Sequence, residues 1–332
     1  MRAFGFYSLL PRIRCLRTPS NTITKEQLHS SGYHTRQRGM LEIRQSKGQS
    51  DGQSLLTPTP WQIKTCIFLA TEVPDFLCDG AVYGEDKVLG LDRLLVQVAC
   101  LGLRSKSAGL FINEDPKHSL DAQQLEKLSE EAKALDDALA AWPDADANAN
   151  ADGDEWKVVR LPIHPTLAPA SSPTVRPYGD AVHRYQSHAH AAIWNTHRAV
   201  RIAVNSIRTR SLSHLLRQCS SPSHALILTE QLHLCRQRVD LSVRELRGSV
   251  PFFGDFSIAA RKGFEELTTE KRLTLSDAKI VPMMAALLAW PLKVALSTEA
   301  AQGTQRQYLK SALETVAESL QDASLRSIVK QG

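Results

Sequence analysis

The chain has 332 residues, 42% of them hydrophobic and 23% charged. That composition suits a globular protein with ample material for a core, not a disordered one. A formal net charge of +5, much of it carried by the first fifty residues, excludes the broad basic surface of a dedicated nucleic-acid binder.

The first segment, "MRAFGFYSLLPRIRCLRTPSNTITK", holds arginines and serines and no acid before Glu26. Pro11 and Arg12 interrupt its apolar run, which excludes a secretory signal. Residues 1–27 are expected to be a disordered basic segment, with a mitochondrial presequence as the alternative. Further on, Thr59 can cap a helix that has Pro60 at its first position and stops at Pro74. From Asp86 to about Leu103, Val88, Leu91, Leu95, Val98 and Leu101 share one helical face. From Ser119 to Trp142, Leu125, Leu128, Ala132, Leu135 and Leu139 form an apolar stripe with polar residues opposite.

An acidic linker, "PDADANANADGD", follows, and then five prolines at 162, 165, 169, 173 and 177 exclude continuous helix or central strand. "WKVVRLP" is the one fair strand candidate. The next helix, "HAHAAIWNTHRAVRIAVNSI", has a face of Ile193, His197, Val200, Val204, Ile207 and Leu215. Trp194, Arg198 and Arg201 lie beside it. Helices are then expected at Ser223–Leu246, at "IVPMMAALLAWPLKVAL" and at Thr304–Val329. The second is apolar all round and so surrounded by other helices, with a kink at Pro291. It is short and carries Lys293, which makes it a core helix, and no membrane segment is expected. The fold class is all-α: a multi-helix array with a first helical block at 28–142, a linker at 143–179 and a second block at 180–329.

No residue constellation points to chemistry. His183, His188, His190 and His197 lack the one-turn spacing of a helical metal pair. The six cysteines, at 15, 66, 78, 100, 219 and 235, show no zinc-ligand spacing and read as reduced residues of an intracellular protein. Arg198, Arg201, Arg208 and Arg210 could face phosphate, but Arg198 and Arg201 flank the stripe, where stems cover the core and heads meet carboxylates. Neither a phosphate-binding glycine loop nor a nucleophile elbow is present. The expectation is no enzyme, no catalytic residue, no cofactor and no metal ligand.

The order of landmarks resembles a family. Trp194-Asn195 followed by Arg198, Arg201 and Ile202 is similar to a W-N then R-x-x-R-I stretch in the fungal-specific regulatory domain of binuclear zinc-cluster transcription factors. Ser249-Val250-Pro251-Phe252 resembles that domain's later S-V-P-[FY] turn, and Trp290-Pro291 its apolar helix. "GMLEIRQSKG", closing on Lys47-Gly48, and "ALDDALAAW" are similar to earlier helices, so the resemblance covers about 28–325. It implies an all-helical regulatory domain that acts in the nucleus on transcription through other proteins or a small effector. The family's DNA-binding module, a run of six close cysteines holding two zinc ions, has no counterpart here, nor do the domain's first helices. Sequence-specific DNA binding by this chain alone is therefore not expected. A gene start further upstream, or a relative without the cluster, would account for the difference. The alternative function is a helical interaction protein of the mitochondrion or cytoplasm. Within the resemblance, Trp194 is expected to be a buried anchor, Asn195 to bond a neighbouring turn, and Arg198 and Arg201 to tie helices together.

Overall fold

A computed structural model of the protein describes residues 60–74, 87–110, 121–144, 157–162, 181–254, 280–298 and 301–331. These residues carry eight α-helices and one two-stranded sheet, and all belong to one compact unit, Pro58–Gly332. The all-α reading is correct. The basic segment 1–27, Thr59 and the Lys47-Gly48 motif lie outside the described residues.

Helix α1, Pro60–Leu69, ends well before Pro74. Ala70 turns left-handed at φ 46°, and the Thr71 amide closes on the Cys66 carbonyl. Helix α2, Lys87–Ser107, runs one turn further than the pattern suggests. Gly109 ends it at φ 73°, and the Leu110 amide reaches back to the Ser105 carbonyl at 2.9 Å. Such left-handed closure costs glycine little and satisfies a carbonyl that the helix end exposes. Helix α3, Ala122–Ala141, starts after Asp121, whose carboxylate accepts from the Gln123 amide, rather than at Ser119.

The strand candidate is realised as β1, Val159–Pro162, paired antiparallel with β2, Ala181–Arg184, so that Arg160 faces His183. β2 had no sequence expectation. Helix α4, His188–Gln218, has 31 residues, about 46 Å of length, and Ser187 caps it by accepting from the His190 amide. Helix α5, Pro222–Ser249, has Pro222 in its first turn and leads into a 3₁₀ turn at Val250–Phe253.

Helix α6, Pro282–Ser297, contains Pro291, which removes the donor for the Leu287 carbonyl without interrupting the helix. Contrary to the expectation of burial all round, its first turn is exposed at Met283. The single last helix expected at Thr304–Val329 is two: α7, Gly303–Leu320, and α8, Ala323–Gln331. Gln321 adopts φ 54°, and the Asp322 carboxylate accepts from the Ser324 and Leu325 amides, so one residue stops a helix and the next starts another.

Two apolar clusters make the core. One joins α1–α3 to Val200, Val204, Ile207, Leu212 and Leu215 of α4 and the first half of α5. The other joins Ala191, Ala199 and Ile202 of α4 to the second half of α5, the 250–253 turn and α6–α8. Helix α4 thus buries opposite faces in two clusters, where the periodicity suggested one stripe. Trp194, Ala203 and Trp290 pack against both. Among the described residues no helix is long and apolar enough to cross a membrane.

Candidate functional site

The motif residues of α4 meet the end of α5 in a buried polar junction. Three and seven residues after Asn195, Arg198 and Ile202 follow on one side of the helix, and the antiparallel α5 brings Glu245 and Ser249 opposite them. Arg198, only 5% exposed, donates to the Tyr185 hydroxyl, to Asn195 Oδ1 at 3.0 Å and to Glu245 Oε2 at 3.5 Å. Ser249 Oγ lies 2.7 Å from Asn195 Oδ1 and 2.6 Å from the Leu246 carbonyl, its one proton shared between two acceptors, and so links the 250–253 turn to α4. On the outer side of the junction, Arg160 of β1 holds Glu245 Oε1 at 2.8 Å. The Arg198 guanidinium also lies 5.6 Å from the ring centroids of both Trp194 and Tyr185. A planar cation with several donors can serve all these partners at once, which a lysine cannot.

His183 closes the junction from β2, its Nδ1 3.3 Å from the Tyr185 hydroxyl and its Nε2 3.6 Å from Glu245 Oε2. Burial, aided by the Arg198 charge and opposed by Glu245, lowers its pKa to about 4. The ring is therefore neutral at pH 7, and its approach to Glu245 is not an ion pair. Burial likewise raises the Tyr185 phenol, against the pull of Arg198, so Tyr185 stays a neutral hydroxyl. Gly248 makes room for the ring: a Cβ there would sit 2.9 Å from His183 Nε2.

One turn further along α4, Arg201 Nε donates to Asp136 Oδ1 of α3 at 2.8 Å, and Arg238 of α5 donates to Asp136 Oδ2 at 2.7 Å. Asp136 is fully buried. Burial alone would raise its carboxyl, but the Arg201 hydrogen bond and charge, with Asn205 and Arg238, hold it below the usual carboxylate value. Three helices are pinned by one anion.

The third group is aromatic. His197 Nε2 donates to the Leu139 carbonyl of α3 at 2.7 Å and stacks near Trp142. Burial lowers its pKa to about 4, although the Leu139 bond opposes this. Trp194 meets Trp142 edge-on, with centroids 5.7 Å apart. It is half-buried rather than enclosed, because it sits at the seam between the two apolar clusters.

The structure thus brings together Asn195, Arg198 and Ser249, and buries Ile202, Val250, Pro251 and Phe252 around them. Arg201 serves Asp136 instead. Trp290 and Pro291 sit apart on α6, where Trp290 Nε1 donates to the Lys64 carbonyl of α1 at 3.1 Å. The four histidines are dispersed: His188 packs on Phe252 and Phe253, while His183 and His197 serve different helices. Among the described residues no three His, Cys, Asp or Glu side chains are placed to share a metal ion. Tyr185, Glu245, Asp136, Arg238 and Gly248 were not anticipated, since all but Tyr185 are far in sequence from the residue they serve, and Tyr185 reaches its partners by a turn between β2 and α4 that periodicity does not show.

Chemically, the junction offers fixed donors and acceptors engaged with one another, except for the buried Asn195 Nδ2, which has no hydrogen-bond partner. It orients helices. No family model, curated protein or solved structure matches the chain.

Proposed function

We propose that the chain is a helical regulatory body of the transcription-regulator type, working through other proteins or a small effector without a DNA-binding zinc cluster of its own. The observation that supports it is the bond between Ser249 and Asn195, with Arg198 on the same amide oxygen. Two of the segments that carry the resemblance, Trp-Asn-x-x-Arg and Ser-Val-Pro-Phe, are 54 residues apart at this bond and form one buried unit. On this reading the shared residues recur because they hold the body in shape, and binding is done elsewhere on its surface.

Direct binding to duplex DNA is then weak and without sequence preference, because it rests on scattered basic residues. The test is to fuse the full chain to an unrelated DNA-binding domain and measure a reporter, while a C-terminal fluorescent tag locates the unfused protein. Nuclear location with an altered reporter supports the proposal. An inert reporter with mitochondrial or cytoplasmic location overturns it in favour of a non-nuclear interaction protein.

A further inference from the structure

Helix α5 exposes four large apolar side chains: Leu226, Ile227, Leu234 and Leu241 are 72%, 52%, 46% and 50% exposed. Ile227, Leu234 and Leu241 recur every seven residues, and at that spacing a helix returns to nearly the same side. They form one outer stripe, about 21 Å long. It runs opposite the face that Leu228, Leu232, Cys235, Val239 and Leu246 turn into the core. Val159, Val281 and Met283, the other large apolar residues exposed among those described, belong to other segments and share no such line. An apolar stripe with a seven-residue period is the seam along which a second helix packs.

The charges beside the stripe identify that second helix. Glu230 and Arg244 are exposed and lie on the same flank of the stripe, with the exposed Gln237 midway between them in sequence. A second α5, laid antiparallel about a two-fold axis at Gln237, comes with its own Arg244 level with Glu230, and this pair occurs twice. A two-fold axis sets each flank against the same flank of the other copy, as the two charges require. The same axis brings Leu234 beside the partner's Leu241, offset by one residue, about 1.5 Å. A parallel pairing would oppose Glu230 to Glu230 and Arg244 to Arg244, which repel. Arg244 already reaches Asp240 at 2.9 Å, but its side chain stays 58% exposed and has donors to spare. Arg238, on the other flank near the axis, is turned to Asp136 and Asp137 of α3, which offset its charge.

We infer that the outer face of α5 is a self-association surface. Two copies of the chain pair through antiparallel α5 helices, with Leu234 against the partner's Leu241 and Glu230 against the partner's Arg244. The pairing follows from this face alone and stands whether or not the body regulates transcription. The strip is narrow, so the dimer dissociates on dilution rather than being obligate.

The test is sedimentation equilibrium of the full chain from about 1 to 200 µM, a range that brackets the affinity of so small an interface. A reversible monomer–dimer equilibrium is expected. Leu234→Glu should weaken it by at least about a hundredfold, because each dimer would then bury two unpaired carboxylates. Glu230→Arg should weaken it by about tenfold, by facing the partner's Arg244 with a like charge, and adding Arg244→Glu should restore it. A chain that stays monomeric throughout, a dimer indifferent to Leu234→Glu, or a charge reversal that the second substitution does not rescue overturns the pairing. A monomeric wild type whose melting temperature falls by well over about 2 °C in Leu234→Glu also overturns it, since the stripe is then covered within the chain. Should Leu234→Glu fail to fold, the charge-reversal pair decides alone.

Discussion

Replacing Arg198 by methionine removes the hub of the α4–α5 junction while keeping its stem. The side chain donates to Tyr185, Asn195 and Glu245 and is almost wholly buried. Breaking a buried charged pair by removing one partner commonly costs about 3–5 kcal/mol. Here the stranded partners keep other bonds: Asn195 retains Ser249, Tyr185 stays near His183, and Glu245 retains Arg160. The cost therefore sits at the lower end, about 3 kcal/mol. At about 2–4 °C per kcal/mol for a body of this size or a little smaller, the melting temperature should fall by roughly 6–12 °C. Arg198→Lys should recover only part, because an ammonium cannot span three acceptors. In a double-mutant cycle with Glu245→Gln, the coupling should be about 1 kcal/mol. The assay is thermal and urea unfolding of wild type, the two single variants and the double variant. If Arg198→Met melts within about 2 °C of wild type, a shift typical of surface substitutions, the junction does not hold the helices and the reasoning fails.

Acid should weaken the fold well above the carboxylate range. His183 and His197 are held neutral down to about pH 4, so the unfolded chain binds more protons between its ordinary value near 6.5 and that point. Their contribution is complete above pH 6.5 and is lost as pH falls toward 4, which a series of melts across that window will show as a steady decline; a flat profile contradicts it. Asp136→Asn should cost about 2–3 kcal/mol at pH 7, less than a fully buried pair because Arg201 and Arg238 reach solvent. Since its folded pKa is lowered, the deficit against wild type should vanish as pH falls below about 4 and through the lower folded value; a deficit that persists in acid excludes the ion pairs as its cause. Gln321→Gly should raise stability by about 0.5–1 kcal/mol, read by urea midpoint, because glycine holds φ 54° without a Cβ penalty. A loss on that substitution means that the Gln321 side chain contributes more than its backbone costs.

Helix positions were legible because apolar spacing is a local signal. The stripe of Leu125, Leu128, Ala132, Leu135 and Leu139 located α3, and each of these residues is buried. Helix ends were less so. The break at Gln321 carries no glycine or proline, and only Asp322 with its accepting carboxylate marks it. Arg198 and Arg201 were read as helix ties meeting carboxylates, and they are, but the identities of Glu245 and Asp136 depend on how helices 47 and 65 residues apart align. Such alignment leaves no trace in spacing. Trp194 was overestimated as an anchor for a related reason: a tryptophan's apolar area is evident in sequence, whereas its place at a seam between two clusters is not. Its replacement by alanine is accordingly worth less than the loss of an enclosed aromatic.

The two-sided burial of α4 has a consequence for synthesis. Helices α1–α3 lie within the first 144 residues, but the apolar cluster they line is completed by Val200–Leu215 and by α5. A ribosome adding about 5–20 residues per second needs several seconds more before those residues emerge. During that interval Leu91, Leu95, Leu128 and Leu139 have no α4 to cover them. The nascent chain is then a set of helices with an open apolar face, of the kind that chaperones hold and that aggregation exploits. A stop anywhere before about Leu215 would release that state permanently. Truncations of this protein should therefore divide sharply: loss of α8 leaves the first cluster whole, whereas loss of α4 leaves α1–α3 without a core of their own.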